Sequence, residues 1–196
     1  DSMSHYFSNN TSTIENRREI SFRFLDLDYN LVSSDNVFSK DAFDKGTEVL
    51  LSAVSKMDVK GHVCDLGCGI GVIGVILHRL FDVVMTGVDV NQRAVTLANE
   101  NYKRYGVKGE NIVSDGITGS FDMIVSNPPI RVGKTILYRL FEEAHEALKP
   151  MGSFVFVIRK SHGALSAQKK CVELFGNCEL LMRSKGYHVY QAVKID

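Results

Sequence analysis

The chain carries no net charge, has no long hydrophobic run and contains few prolines. Lysine and arginine number 23 and are balanced by 23 aspartates and glutamates, which argues against binding of a polyanion through bulk charge. No apolar stretch reaches the ~18 residues that cross a membrane, and the polar start shows no signal peptide. These absences favour a cytoplasmic globular protein, whose contacts with nucleic acid would have to come from local basic clusters.

Cysteine is also sparse, and its spacing matches no metal site. Cys64 and Cys68 flank a glycine-rich loop, Cys171 and Cys178 follow far downstream, and no histidine cluster completes a zinc pattern. We therefore expect reduced thiols and no metal. A length of 196 residues suits one well-buried domain, so residues 1–196 are predicted to form a single domain.

The first third of the chain contains two local patterns. Apolar and polar residues alternate near the start, which predicts a β-hairpin over residues 18–34 with its turn at Asp26–Asn30. Helical spacing of apolar residues then predicts a helix over residues 41–56, capped by Ser39 or Asp41.

From residue 62 onward, strands and helices are predicted to alternate. The expected strands are 62–66, 83–89, 110–114, 121–126, 153–159, 178–184 and 187–194. The expected helices are 72–81, 91–105, 134–148 and 163–175. Only Ser184-Lys185-Gly186 separates the last two strands, which must form an antiparallel hairpin. The pattern predicts an α/β, Rossmann-like core over 62–196, with a seven-stranded, mostly parallel sheet and helices on both faces.

Three alternating glycines follow the first strand of this core, in a loop that runs from Asp65 to Gly71. Glycines there allow a tight turn and close approach of the backbone to a ligand, and the next helix points its amino end at that ligand. Asp89 ends the following strand, where an acid can accept hydrogen bonds from both ribose hydroxyls of a nucleoside. We predict a site for S-adenosylmethionine (SAM) formed by Asp65, Gly67, Gly69, Gly71, Asp89 and Asn91.

The same loop also admits a dinucleotide interpretation. Residues 69–74 fit the Gly-x-Gly-x-x-Gly fingerprint, and Asp89 lies at a suitable distance for an NAD ribose. Against NAD, the strand would have to bury Asp65 without a partner, and the Asn127 motif would stay unexplained. Asp115, after the third strand, could meet the adenine amino group or could be a plain turn residue before Gly116.

The stretch Asn127-Pro128-Pro129-Ile130 ends another apolar strand. Two consecutive prolines fix a rigid, extended backbone that holds the Asn127 side chain and the Pro128 carbonyl as two aligned acceptors. An exocyclic NH₂ group offers two donors, so we predict that Asn127 and Pro128 are catalytic for methyl transfer to nitrogen. The alternative is a rigid turn with no chemistry. Because the first and fourth core strands are neighbours at the switch point of such sheets, Gly67 and Asn127 are expected to face one crevice.

Basic residues follow the ends of two strands and are expected to rim this crevice. A local basic patch there would bind a nucleic acid despite the zero net charge; the alternative is a set of solvated surface charges. The members of the predicted patch are Arg131, Lys134, Arg159, Lys160 and His162.

The chain resembles the class I SAM-dependent methyltransferases, and among them the small-subunit ribosomal RNA guanine-N2 methyltransferases. The resemblance spans residues 18–194 and is carried by four segments: 37–47, 65–71, 121–129 and 185–190. It implies that Gly67, Gly69, Asp89 and Asp115 contact SAM and that Asn127 is the catalytic amide. It also implies that the 38–47 segment covers the cofactor and that a guanine of ribosomal RNA, alone or in the small subunit, is flipped into the site.

Two departures from that family are visible. Its classical members carry a second, degenerate copy of the domain in front, where this chain has a short hairpin. They also place an aromatic ring at the position of Ile130. The predicted substrate-binding residues are Phe38, Pro129, Ile130, Arg131, Lys134, Arg159 and Lys160. The alternative acceptors are a protein glutamine or a DNA adenine, and the non-enzymatic alternative is a SAM- or RNA-binding module, against which the intact Asn127 argues.

Overall fold

The structure is a computed structural model that describes residues 16–35, 43–129 and 133–196. The strands are β1 Arg17–Phe24, β2 Leu27–Ser34, β3 His62–Leu66, β4 Val84–Asp89, β5 Gly109–Val113, β6 Phe121–Ser126, β7 Leu148–Arg159, β8 Glu179–Ser184 and β9 Tyr187–Val193. The helices are α1 Lys45–Val54, α2 Val72–Phe81, α3 Gln92–Tyr105, α4 Gly133–Ala147 and α5 Ala164–Phe175, with a short 3₁₀ turn at Lys160–His162.

The main sheet has seven strands in the order β5-β4-β3-β6-β7-β9-β8, as the alternation of strands and helices predicts. The five strands from β5 to β7 are parallel, and β9 runs antiparallel to both of its neighbours. The first core strand, β3, pairs with the fourth, β6, so the chain order reverses between them. This confirms the α/β, Rossmann-like fold and puts the switch point where the sequence placed it.

Both faces of the sheet are covered, and each strand alternates between them. Val63, Val125 and Val155 pack in one buried cluster with residues of the hairpin and of the helices α1, α2 and α3. Ile124 and Phe154, one residue away along their strands, join α4 and α5 in a second cluster. The period-2 alternation of strand side chains therefore sorts the core into two layers. In the described ranges, no helix is long and apolar enough to cross a membrane.

The N-terminal hairpin is confirmed, but its predicted turn is wrong. The turn consists of Leu25 and Asp26, with φ of 48° and 63°, and β2 already begins at Leu27. Positive φ at both central residues defines the tight turn whose twist suits a two-residue hairpin. The alternation of β2 extends back through Tyr29, which is buried, so the segment assigned to the turn is strand instead.

The first helix begins later than predicted. Its N-cap is Asp44, whose carboxylate accepts a hydrogen bond from the Thr47 amide at 2.8 Å. The predicted caps, Ser39 and Asp41, lie outside the described residues. A capped amide in the first turn satisfies one of the unpaired N–H groups, and this fixes the start of α1 at Lys45.

A buried asparagine attaches the hairpin to the main sheet. The Asn101 side chain accepts from the Val32 amide at 2.8 Å and donates to the Val32 carbonyl at 3.0 Å. It also donates to the Ile70 carbonyl at 2.8 Å, within the glycine loop. Because all three bonds are fully buried, Asn101 couples the position of β2 to that of the loop.

Candidate active site

The carboxyl ends of the parallel strands form one edge of the sheet, and the residues singled out by the sequence gather there. The glycine loop follows β3, Asp89 ends β4, Asn127 follows β6 and Arg159 ends β7. The Ser126 hydroxyl donates to the Leu66 carbonyl at 2.8 Å and joins the ends of β6 and β3 across the switch point. Gly67 and Asn127 therefore flank the same crevice.

Backbone hydrogen bonds hold the glycine loop on the end of the neighbouring strand. The amides of Gly67 and Cys68 both donate to the Val88 carbonyl, at 2.8 and 2.9 Å. The Asp89 carboxylate accepts from the Gly69 amide at 2.9 Å and from the Asn91 amide at 3.0 Å. Each of its oxygens keeps a second lone pair, and the side chain is partly exposed, so it can still receive ribose hydroxyls.

The glycines of the loop serve different purposes. Gly67 has φ +83°, and no heavy atom lies within 4 Å of where its Cβ would stand, which leaves room for a ligand against the backbone. A Cβ on Gly71 would stand 3.3 Å from the Ala98 Cα, and one on Gly74 would stand 1.8 Å from the Tyr102 hydroxyl. The space beside Gly67 is therefore open, whereas Gly71 and Gly74 allow α2 to pack closely on α3.

Asp65 lies beneath the loop with no exposed surface. Among the described residues neither of its carboxylate oxygens has a hydrogen-bond partner. Burial, and secondly the charge of Asp89, raise the Asp65 pKa to about 8, so the carboxyl is largely protonated at neutral pH. The sequence argument that an unpaired buried acid counts against NAD is wrong, because this chain does bury one.

Asn91 and Asp115 each have a protein partner in addition to their predicted role toward the cofactor. The Asn91 side chain caps α3 by accepting from the Ala94 amide at 3.1 Å. Asp115 is exposed and receives the Arg139 guanidinium at 2.9 Å. Arg139 also pairs with Glu143 at 3.0 Å, so the loop after β5 is fastened to α4 by a charged chain that the sequence did not reveal.

The amide of Asn127 is held by the amino end of α1. Its Nδ2 donates to the Thr47 hydroxyl at 3.0 Å and, at 3.4 Å, to the Asp44 carboxylate that caps the helix. Both amide hydrogens are thereby directed at α1, and Oδ1 is left without a hydrogen-bond partner in the described ranges. The sequence indicated Asn127 but missed both of its partners, which lie about 80 residues earlier; no spacing rule could connect them.

Of the remaining predicted residues, some reach this edge and others lie outside the described residues. Arg159 and Lys160 are exposed at the end of β7, where the Arg159 guanidinium lies 5.5 Å from the centre of the Tyr187 ring. Pro128 is buried, and Pro129 and Lys134 are exposed. Phe38, Ile130 and Arg131 fall outside the described residues. Across 16–35, 43–129 and 133–196, no three histidine, cysteine or acidic side chains group as metal ligands would.

Comparison with known proteins decides the family. Residues 28–191 match the family described as the methyltransferase small domain. The chain belongs to the methyltransferase small domain family. The cofactor of such an enzyme fits the residues present, because the space at Gly67 is open and the Asp89 carboxylate is available. The protein is a SAM-dependent methyltransferase, and the NAD alternative is dropped.

Three relatives show how far the likeness extends. The uncharacterised protein YbxB of Bacillus subtilis strain 168 is 36% identical over 198 residues, which cover 97% of this chain and 98% of that protein. The ribosomal RNA small subunit methyltransferase C of Pseudomonas entomophila is 33% identical over 84% of this chain and 51% of its own length. The T. thermophilus 16S rRNA N2 methyltransferase RsmC, solved with AdoMet and guanosine, has a TM-score of 0.81 at 27% identity, over 91% of this chain and 50% of that one.

The methyltransferase small domain of this chain thus spans about half the length of the ribosomal RNA methyltransferases it matches. It spans nearly all of the Bacillus subtilis protein.

Proposed function

We propose that this protein transfers a methyl group from SAM to the exocyclic amino group of a guanine in small-subunit ribosomal RNA. One observation carries the proposal: the Asn127 amide is held through its nitrogen, so its oxygen is the atom left to accept a hydrogen bond from the acceptor amine. A binding module would have no need of an acceptor oriented in this way.

In this proposal Asn127 and Pro128 act on the acceptor nitrogen. Bound SAM would supply an electrophilic methyl group, and its sulfur would keep the electron pair of the S–C bond that breaks. The Asn127 Oδ1 and the Pro128 carbonyl each accept one N–H of the planar amine, which localises the nitrogen lone pair and sets its direction. As the new N–C bond forms, positive charge grows on that nitrogen, and the two carbonyl dipoles stabilise it. The extra proton then leaves the nitrogen for water.

The comparisons support guanine as the acceptor. The T. thermophilus enzyme solved with guanosine shares its fold with 91% of this chain, and the relatives named as small-subunit ribosomal RNA methyltransferases match the same region. Arg159 and Lys160, exposed beside the crevice, add local positive charge suited to an RNA backbone. We propose that residues 1–196 act as a single catalytic domain in the cytoplasm, where this RNA is found.

Labelling the acceptor tests the proposal. The purified protein is incubated with methyl-tritiated SAM and, separately, with small ribosomal subunits, naked ribosomal RNA, DNA and a protein extract; the labelled RNA is then digested to nucleosides. We expect label in N2-methylguanosine and labelling roughly 10²–10³-fold slower with the Asn127→Ala variant. Label found only in protein, or only in DNA adenine, would show that the acceptor is not an RNA guanine. The absence of label from every substrate would contradict catalysis.

A further inference from the structure

The first turn of α1 is in direct contact with the proposed catalytic amide. Thr47 is buried, and its hydroxyl receives the Asn127 Nδ2 at 3.0 Å. Asp44 fixes that turn by accepting the Thr47 amide at 2.8 Å, and its carboxylate lies 3.4 Å from the same Nδ2. A Cβ on Gly46 would stand 3.3 Å from Nδ2, so a larger residue there would press on the amide.

We propose that Thr47 is a positioning residue for methyl transfer that acts together with Asp44: the Thr47 hydroxyl holds the Asn127 amide in place, and the Asp44 carboxylate fixes which end of it faces the acceptor. The inference rests on the catalytic role proposed for Asn127. A side-chain amide can turn over about its last bond and exchange its oxygen with its nitrogen. The acceptor amine and the amide NH₂ are both donors, so the exchanged orientation cannot bind the acceptor.

The two partners at α1 contribute differently. The Asp44 carboxylate can only accept, so it favours the NH₂ end of the amide, whereas the Thr47 hydroxyl can donate or accept and holds the amide beside that carboxylate. Loss of the Thr47 hydroxyl leaves Asp44 alone, at the longer distance. The amide then populates both orientations, and the productive fraction falls.

Three variants separate positioning from folding. Thr47→Val keeps the shape of the side chain and removes the hydroxyl, and Thr47→Ser restores the hydroxyl. We expect kcat of Thr47→Val to fall roughly tenfold with KM nearly unchanged, the size of one hydrogen bond lost in the transition state, and Thr47→Ser to return within about threefold of the parent. In an Asn127→Ala background Thr47→Val should cost nothing more, because the group it positions is gone.

A second readout needs no acceptor. The Asn127 side-chain NH₂ signals, assigned by their loss in Asn127→Ala, should be protected from exchange in the parent and in Thr47→Ser and unprotected in Thr47→Val. Parental kcat and parental protection in Thr47→Val would overturn the positioning role. If Asn127→Ala itself keeps the parent rate, the proposed function fails instead, so the two failures are distinguishable.

A second inference rests on a separate feature, the hollow at the turn between β8 and β9. Its volume is about 270 Å³, and it is lined by the cationic side chains of Lys160, Arg183 and Lys185 and by the buried His188. Lys185 pairs with Glu48 of α1, whereas Lys160 and Arg183 have no carboxylate partner within the described ranges. Burial, and then the charges of Lys160 and Arg183, hold the His188 pKa below its usual range, as expected in a positive field.

We infer that this hollow binds a backbone phosphate of a single-stranded RNA segment beside the acceptor nucleotide, which deepens the proposed function. Tyr187 lines the hollow. A Cβ built on Gly46 would stand 3.0 Å from the Tyr187 ring and 3.3 Å from the Asn127 Nδ2, so the ring and the amide both lie against Gly46. A phosphate here would therefore be close to the reacting base. The stacked pair of Arg159 and Tyr187 adds the aromatic and cationic surface on which single strands bind.

Binding of a fluorescent single-stranded oligoribonucleotide tests this site without any catalysis. The variant Lys160→Ala/Arg183→Ala is compared with Lys103→Ala/Lys169→Ala, which removes two exposed charges elsewhere. We expect the first to weaken binding about tenfold and to reduce the slope of log K against log salt by about 0.7, since one phosphate contact is lost. The assignment would be overturned if the two double variants bound the oligoribonucleotide equally well. It would also be overturned if Lys160→Ala/Arg183→Ala lost as much affinity for polyglutamate as for the oligoribonucleotide.

Discussion

The two sides of the crevice are built by different means. On the cofactor side, the glycine loop is held by backbone amides on the end of the adjacent strand, through Val88 and Asp89. On the acceptor side, the Asn127 amide is held by two side chains of a helix that lies about 80 residues earlier. The cofactor side is therefore fixed mainly by the main chain, whereas the acceptor side depends on a few side chains that can change without disturbing the sheet.

A large expected effect breaks the acceptor side. From the motif alone, Asn127→Asp should be mild, because a carboxylate still accepts both hydrogen bonds. The structure predicts otherwise: the new carboxylate loses the bond donated to Thr47 and lies beside the carboxylate of Asp44. We expect the rate of methyl transfer to fall roughly 10²-fold, the cost of a misplaced acceptor.

Single-turnover kinetics at saturating SAM measure this loss. The second change Asp44→Asn should restore part of the rate, because it removes the repulsion and supplies a donor. A mild loss in Asn127→Asp, or no recovery in the double variant, would show that the α1 contacts do not orient residue 127.

The next effect breaks the cofactor side. Asp89→Ala removes the acceptor of the Gly69 and Asn91 amides and the proposed partner of the ribose. We expect SAM binding to weaken by about 1.5–3 kcal/mol, the scale of hydrogen bonds to a charged group. Calorimetry measures it, with Asp58→Ala as a charge-matched control on an exposed acid. An unchanged affinity would mean that Asp89 only fastens the loop.

A smaller effect sharpens the comparison by testing the buried acid beneath the loop. The Asp65 pKa is raised in the folded state to about 8 from a reference value of 3.8. The folded protein therefore binds a proton that the unfolded chain releases, and the stability from this group is lost as pH rises through that window. The isosteric Asp65→Asn has no such dependence.

The melting temperature of Asp65→Asn relative to the parent should therefore rise from pH 5 to about pH 8 and level off above it, in the absence of cofactor. Because the two proteins share all their other titratable groups, the contributions of those groups cancel in the difference between the two melting temperatures. A constant difference across that range would mean that Asp65 is ionised in the folded protein or has a partner.

The two sides of the crevice also differ in how much of each can be predicted from the sequence. The glycine loop, Asp89 and Asn127 follow the ends of strands whose order is implied by the alternation of strands and helices, so the crevice was predictable. Thr47 and Asp44 reach Asn127 only because α1 packs at the sheet edge. That tertiary contact leaves no periodic signal.

Two other features escaped prediction for the same reason. The Leu25–Asp26 turn lacks the glycine or asparagine usual at positive φ, so composition pointed to the polar residues after it. In the sequence Asn101 is indistinguishable from any other helical asparagine. Only its three buried hydrogen bonds show that it joins the hairpin to the glycine loop.

The most direct test of the account compares cofactor affinity with transfer rate in Asn127→Ala. We predict SAM affinity within about twofold of the parent, because the amide contacts α1 and its proposed partner is the acceptor, not the body of the cofactor. The single-turnover rate should fall by roughly 10²–10³, the typical cost of losing one positioned hydrogen-bonding group. A rate within about threefold of the parent, or a parallel loss of SAM binding, would contradict the central claim that Asn127 acts on the acceptor.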